Sequence, residues 1–268
     1  CRFSTGHWIM NPAIKQLLDQ KVKQYNHIDF IEKDPISIPH LYTKQQDIEI
    51  AAFFAAIFAW GNRTTIIQKS KELLERMDNA PFEYCTQHQV KDLKKLIGFA
   101  HRTFNDRDLL YCIAFFKHHY AKQKSLETAF FMDQDSGKKV KTVAAGLVNF
   151  KNYFFSLEDE PYRTKKHIAS PENGSTCKRL NMFLRWMVRK DQHGVDFGLW
   201  KAISPADLII PIDVHVARVS RSFGLISRPQ IDWLTALELT EYCRTLDARD
   251  PVKYDFALFS LGVTEKIR

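Results

Sequence analysis

The chain has 268 residues, of which 45% are hydrophobic and 13% aromatic, and this composition excludes a disordered protein. Ten glycines and ten prolines leave few turns per residue, which favours long helices over a many-stranded sandwich. The formal net charge of +8 favours a polyanionic partner, most often a nucleic acid, although many basic proteins bind none.

The five cysteines are widely scattered, and no two have the spacing of a zinc or iron–sulfur site. We therefore expect reduced thiols, a cytoplasmic setting, and neither a metal nor a cofactor. No apolar run is long enough to span a membrane, so no membrane association is expected. Residues 1–9 precede Met10 without the apolar core of a signal peptide, and we expect them to be an extension outside the fold.

Helical periodicity dominates the chain and begins at Asn11 and Pro12, which suit an N-cap and the first helical position. The segment 48–60 is apolar nearly all round, which predicts a buried central helix that ends at Trp60 and Gly61. Further segments have apolar residues three or four positions apart, at residues 64–77, 90–102, 106–123, 126–133, 140–155, 232–246 and 250–263.

These segments predict an all-α fold with two helical lobes and a cleft between them. The best strand candidate is the short run at residues 208–212, which contains Pro211. We expect one module at residues 10–268, made of a central lobe at residues 45–190 and a terminal lobe at residues 10–44 and 195–268.

The polar loop in front of Lys178 contains Asn173, Gly174 and Ser175. A loop of this composition turns tightly, and its backbone N–H groups can hold a DNA phosphate together with the helix N-terminus behind them, as in a helix-hairpin-helix element. The helix that follows carries a basic stripe, which is either a DNA-facing surface or a solvated face: Arg179, Arg185, Arg189 and Lys190.

Lys178 and Asp213 are the candidate catalytic residues. A lysine in the first turn of a helix is disfavoured as a cation, and nucleophilic attack requires the neutral amine. A carboxylate close by can deprotonate the lysine and stabilise positive charge on a sugar. In the simpler interpretation, Asp213 only caps the next helix and Lys178 is solvated or binds phosphate.

The segment at residues 211–225 resembles the one after the hairpin in helix-hairpin-helix DNA glycosylases. The positions that carry this resemblance are Pro211, Asp213, His215, Arg218, Val219, Arg221 and Gly224. It implies that Asp213 is the catalytic aspartate and that Lys178 forms a Schiff base with the sugar. It also implies a DNA-binding surface that includes Asn173, Gly174, Ser175, Arg179, Arg185, His215 and Arg218, and a base pocket near Trp60, Asn62 and Arg63.

Two departures from the family pattern favour one branch of that family. The usual hairpin reads Leu-Pro-Gly-Val-Gly-x-Lys, whereas here Lys178 lies four positions after the single glycine Gly174. Lys178 and Asp213 are also 35 residues apart, further than in most of the family. The archaeal 8-oxoguanine DNA glycosylase branch is similar in both respects. We expect no iron–sulfur cluster of the family's C-terminal kind, since Cys243 is the only cysteine after Cys177 in this sequence. The whole chain also resembles an uncharacterised bacterial family of about this length.

The favoured hypothesis is a monomeric DNA glycosylase with β-lyase activity that extrudes an oxidised purine, first of all 8-oxoguanine, from double-stranded DNA. Two alternatives stay open. One is a catalytically silent DNA-binding module of the same fold, which the altered hairpin suggests. The other is an RNA-directed or protein-scaffold role, which the basic charge alone suggests.

Overall fold

The computed structural model describes residues 11–158 and 161–265. The predicted extension at residues 1–9 lies outside these ranges. Twelve α-helices fall within them: α1 (Pro12–Tyr25), α2 (Asp29–Glu32), α3 (Gln45–Phe58), α4 (Arg63–Arg76), α5 (Pro81–Gln87), α6 (Asp106–Tyr120), α7 (Glu127–Phe131), α8 (Val143–Phe154), α9 (Lys178–Val188), α10 (Val214–Ser222), α11 (Trp233–Leu246) and α12 (Tyr254–Val263).

One antiparallel hairpin, β1 (Ala100–His101) paired with β2 (Phe104–Asn105), forms the sheet of the described chain, and the all-α prediction is confirmed. The helix predicted at residues 90–102 is wrong, since these residues form a 3₁₀ turn at Asp92–Leu96 and then enter the hairpin. The φ of Gly98 is +77°, a left-handed conformation that a continuing helix cannot contain.

The strand candidate at residues 208–212 is also wrong, because this described segment forms no strand. The backbone N–H of Ile210 donates to the hydroxyl of Thr240 at 3.0 Å instead of to a neighbouring strand. Pro211 has no N–H to donate. The segment is buried and leads directly into α10, so its apolar character reflects burial rather than sheet formation.

The central helix is α3, in which eleven of fourteen residues are buried, as its apolar sequence predicts. Aromatic rings from α6, α8 and α9 pack edge-to-face around Phe53. One carboxylate is buried in the same helix: Glu49 accepts hydrogen bonds from the hydroxyl of Tyr120 (2.8 Å) and the indole N–H of Trp200 (2.7 Å). These bonds join α3 to α6 and to the loop between α9 and α10.

Seven of the twelve described helices form two groups of neighbours. α3 packs against α4, α5 and α9, whereas α1 and α10 both pack against α12. The first and last helices of the described chain therefore lie against each other. The short turn at Pro35–Ser37 contacts α3 and α4, so residues ahead of the predicted central lobe also touch its main helix. The lobe boundaries stay a prediction.

Within the described ranges, no helix has the length and apolar character needed to cross a membrane. The same ranges contain no cluster of histidine, cysteine and carboxylate side chains that could hold a metal ion. Their four cysteines are buried and form no disulfide: Cys85, Cys112, Cys177 and Cys243.

Candidate active site

A cleft of about 1340 Å³ opens where the start of α4, the starts of α9 and α10, and one side of α12 meet. Five basic side chains and three aspartates line it. These charged residues are Asp34, Arg63, Lys166, Lys178, Arg179, Arg185, Asp213 and Asp255. The cleft therefore combines a basic lining with a few carboxylates, which is an arrangement suited to a polyanionic ligand and acid–base chemistry.

Lys178 and Asp213 meet in this cleft. The Nζ atom of Lys178 lies 3.3 Å from Oδ2 of Asp213, and their side chains are 25% and 21% exposed. Lys178 is the first residue of α9, and Asp213 is the N-cap of α10. Two helix N-termini that are far apart in sequence thus bring an amine and a carboxylate into contact at a partly exposed position. The pair is accessible to a ligand in the cleft.

Asp213 is held in its charged form. Burial alone would raise the pKa of Asp213, but the charge of Lys178 and the hydrogen bonds from the backbone N–H groups of Val216 and His215 hold that pKa below its usual range. The two backbone bonds go to Oδ1 and measure 3.0 and 2.9 Å. Oδ2 is therefore the oxygen that faces Lys178. At neutral pH this carboxylate can accept a proton and stabilise a nearby positive charge.

α12 fixes the start of α10. A Cβ atom added to Gly262 would lie 3.1 Å from the carbonyl oxygen of His215, which is tighter than most Cβ contacts, so the glycine favours this close approach of the two helices. The guanidinium of Arg218 donates to the carbonyl oxygen of Gly262 at 2.9 Å. His215 and Arg218 are both exposed, and His215 lines the cleft whereas Arg218 lies outside its lining. Their DNA-binding role stays a prediction.

The turn before α9 is tight, as predicted, with Gly174 at a φ of +71° and Cys177 at +51°. Several of its backbone N–H groups are already used. Those of Asn173 and Gly174 donate to carbonyl oxygens within the turn, and those of Cys177 and Lys178 donate to the hydroxyls of Ser175 and Thr176. The expectation that these N–H groups are free for a phosphate is wrong. Ser175 lines the cleft, and Asn173 and Gly174 are exposed beside it.

The predicted basic stripe on α9 does not form, because Arg185 and Arg189 are buried. Arg185 is paired with Asp255 and with Asp196 (3.3 Å), and Arg189 is paired with Asp196 (2.8 Å) and Asp250 (2.9 Å). These guanidinium groups are already paired with carboxylates of the protein. Arg185 is therefore not available to DNA phosphates, and the network instead locks α9 to α12 on the two sides of the cleft.

Arg179 has a structural contact as well. Its guanidinium donates to the carbonyl oxygen of Ile57 at 2.7 Å, in the last turn of α3, where helix carbonyls lack intrahelical partners. Burial lowers the pKa of this arginine. Lys190, the last residue of the predicted stripe, is exposed.

The three predicted pocket residues all line the cleft. Trp60 is 47% exposed, and the guanidinium of Arg102 lies over its ring at 4.8 Å. Asn62 is the N-cap of α4, and its side chain accepts the backbone N–H of Thr65. The guanidinium of Arg63 lies 4.6 Å from the ring centre of Phe259. Their role in binding a base stays a prediction.

Several further lining residues were not found from the sequence, among them Phe30, Asp34 and Phe259. The two phenylalanines occupy apolar positions on short helices, where a cleft wall has the same sequence signal as a core position. Asp34 precedes Pro35, a pair that signals only a turn. No local pattern could have distinguished these residues from structural ones.

A family model described as Protein of unknown function (DUF2400) matches residues 34–264. The chain belongs to DUF2400. The match to DUF2400 begins at Asp34 and includes every cleft residue named above except Phe30. The description of DUF2400 names no activity. No curated protein and no solved structure gives a significant match to this DUF2400 chain.

Proposed function

We propose that this DUF2400 protein is a DNA glycosylase with β-lyase activity that excises an oxidised purine, first of all 8-oxoguanine, from double-stranded DNA. One observation carries the proposal: a lysine amine and an ionised carboxylate lie 3.3 Å apart in an open, partly basic cleft. A lysine nucleophile paired with a general base is the constellation that Schiff-base chemistry on a sugar requires.

The reaction begins with a proton transfer from Lys178 to Asp213. The neutral amine attacks C1′ of the damaged nucleotide, and the new N–C1′ bond replaces the bond between C1′ and the base. The electron pair of the broken bond leaves with the base, which takes the proton from Asp213. The C1′–O4′ bond of the sugar then breaks, O4′ takes a proton from the attached nitrogen, and a Schiff base forms between Lys178 and C1′. Asp213, ionised again, takes a C2′ proton, and the electrons of that C–H bond expel the 3′ phosphate by breaking the C3′–O bond.

The cleft has room for this substrate. Its volume of about 1340 Å³ exceeds the roughly 300–1,000 Å³ of most small-molecule sites, so it can hold a nucleotide with its flanking backbone. An extruded base needs π-faces or apolar walls, and the rings of Trp60, Phe30 and Phe259 line the cleft. The net charge of +8 favours binding of the duplex backbone.

The test is borohydride trapping on a duplex with a single 8-oxoguanine opposite cytosine. The wild-type protein is expected to form a covalent adduct, because borohydride adds a hydride to the Schiff base and fixes the bond to Lys178. The Lys178→Gln variant is expected to lose the adduct while it still binds the duplex. Lys117 is an exposed lysine on α6 outside the cleft, and Lys117→Gln serves as the matched control that keeps trapping. Full strand cleavage by Lys178→Gln would overturn the lysine assignment.

A second candidate function follows from the same contact. A 3.3 Å ion pair can also serve only to hold α9 against α10, in which case the protein is a DNA-binding module without chemistry. That candidate predicts duplex binding that weakens steeply with salt, together with no adduct on either a damaged base or an abasic site. The trapping experiment separates the two functions.

A further inference from the structure

The wall of the cleft next to the Lys178 amine combines an unpaired hydrogen-bond donor with a buried carboxylate. Arg63, at the start of α4, lies with its guanidinium 4.6 Å from the ring centre of Phe259. The Nη2 atom of Arg63 is buried and has no hydrogen-bond partner within the described chain. A buried guanidinium nitrogen without an acceptor is costly, so this position favours a ligand that supplies one.

Asp34 is the carboxylate of this wall and is only 7% exposed. Its Oδ1 atom accepts the backbone N–H of Ile36 at 3.1 Å, which fixes the side chain at the start of the Pro35–Ser37 turn. Burial raises the pKa of Asp34, and the positive charges of Arg63, Arg185 and Lys178 oppose that rise. Each carboxylate oxygen has two lone pairs, so the group can accept further N–H donors from a ligand.

The same aromatic ring connects this wall to the nucleophile. The Nζ atom of Lys178 lies 6.0 Å from the ring centre of Phe259, on which Arg63 also rests. Phe259 is half-buried and lines the cleft. A planar base whose sugar carbon reaches Lys178 along this ring would therefore have its far edge within reach of Arg63. Asp34 lines the same cleft and is close enough to Arg63 and Lys178 for their charges to act on its carboxyl.

We infer that Arg63 and Asp34 form a base-reading edge that selects a guanine-derived lesion, an inference that rests on the proposed glycosylase function. Arg63 donates to the O6 carbonyl of the base, and Asp34 accepts from N1–H and the exocyclic N2 amine. Guanine is the base whose pairing edge places one acceptor beside two donors, which matches one guanidinium and one carboxylate. Adenine places an amine where Arg63 needs an acceptor, and thymine lacks the second donor.

The experiment compares trapping rates on three duplexes that differ only at one position: 8-oxoguanine, 8-oxoadenine and an abasic site. Trapping on the abasic site requires Lys178, but this site has no base for Arg63 and Asp34 to contact. The wild type is expected to prefer 8-oxoguanine over 8-oxoadenine. In both Arg63→Gln and Asp34→Asn, the ratio of 8-oxoguanine trapping to abasic-site trapping is expected to fall by about 10-fold or more, as for a lost base contact.

The control variant is Arg76→Gln. Arg76 also lies on α4 and over an aromatic ring, with its guanidinium 5.7 Å from the ring centre of Phe99, but it is outside the cleft. This variant is expected to keep the wild-type ratio. Asn in place of Asp34 retains an oxygen for the N–H of Ile36, so the local turn is preserved.

Each result has one meaning. An unchanged ratio in both variants, with adducts still formed, overturns the base-reading edge and leaves the glycosylase standing. An equal loss on the abasic duplex in Arg63→Gln shows that Arg63 binds a backbone phosphate, which also overturns the inference. A wild-type preference for 8-oxoadenine has the same consequence. A wild type that traps neither a damaged base nor the abasic site overturns the proposed function and the inference together.

Discussion

Asp213 performs two tasks that two substitutions can separate. Its Oδ1 atom caps α10 by accepting the backbone N–H groups of His215 and Val216, and its Oδ2 atom faces Lys178. Asparagine caps a helix about as well as aspartate but carries no charge, whereas alanine can do neither. The Asp213→Asn variant should therefore keep its stability and lose catalysis, and Asp213→Ala should lose catalysis and also some stability.

The structure sets the expected magnitudes. The partly exposed ion pair with Lys178 contributes at most about 1 kcal/mol, so Asp213→Asn should change the free energy of unfolding by no more than that. Asp213→Ala also removes the cap and should cost a further 1–2 kcal/mol or so. Loss of a general base slows a reaction by about 100-fold or more, and both variants should show this decrease in trapping rate.

Urea unfolding followed by circular dichroism measures the first quantity, and single-turnover borohydride trapping measures the second. Because the pKa of Asp213 is lowered, its stabilising contribution is present above about pH 4 and is lost as the pH falls further, so both measurements belong near pH 7. An Asp213→Asn variant that traps at the wild-type rate would refute the reasoning, because the carboxylate would then serve only as a cap.

Two predictions concern stability. Glu49→Ala leaves the buried donors of Tyr120 and Trp200 without an acceptor, so it should lower the free energy of unfolding by at least about 2 kcal/mol in urea titrations. The control Glu72→Ala, on the surface of α4, should cost less than about 1 kcal/mol. A comparable loss in both variants would contradict the assignment of Glu49 as a buried hub. The second prediction concerns the buried Asp108. Burial raises the pKa of its carboxyl, but hydrogen bonds to the carboxylate outweigh this effect and hold the pKa at about 2, compared with 3.8 in solution. The ionised Asp108 carboxylate should stabilise the fold by about 2 kcal/mol above pH 4, and this contribution is lost as the pH falls towards 2. Asp108→Asn should flatten the dependence of unfolding free energy on pH in this range, and an unchanged curve would exclude Asp108 as its source.

Much of the local structure follows from the sequence. Asn11 and Asp213 were predicted as N-caps and accept the expected backbone N–H groups. The apolar run of α3 predicted a buried central helix, and Lys178 opens α9 as expected. These features depend on residues within one or two helical turns, and that is the range over which side-chain periodicity and capping act.

The two main errors have different physical causes. At residues 90–102 the apolar spacing suits a helix, but a left-handed Gly98 and the hairpin packing determine the structure. Arg185 has the sequence context of a surface arginine, yet it is buried, where Asp196 and Asp255 pair with its guanidinium. At residues 90–102 a local turn and hairpin overrode the apolar spacing, whereas at Arg185 pairing with carboxylates of other segments did so.

The sequence by itself determined most of the longer helices, some of their caps and the identity of two candidate catalytic residues, because these depend on neighbouring positions. Only the tertiary structure decided that Lys178 and Asp213 touch across 35 residues of chain, and that Asp34 and Phe259 share their cleft with Arg63. A contact between distant positions depends on how helices pack, and the burial of each side chain depends on the partners that this packing supplies.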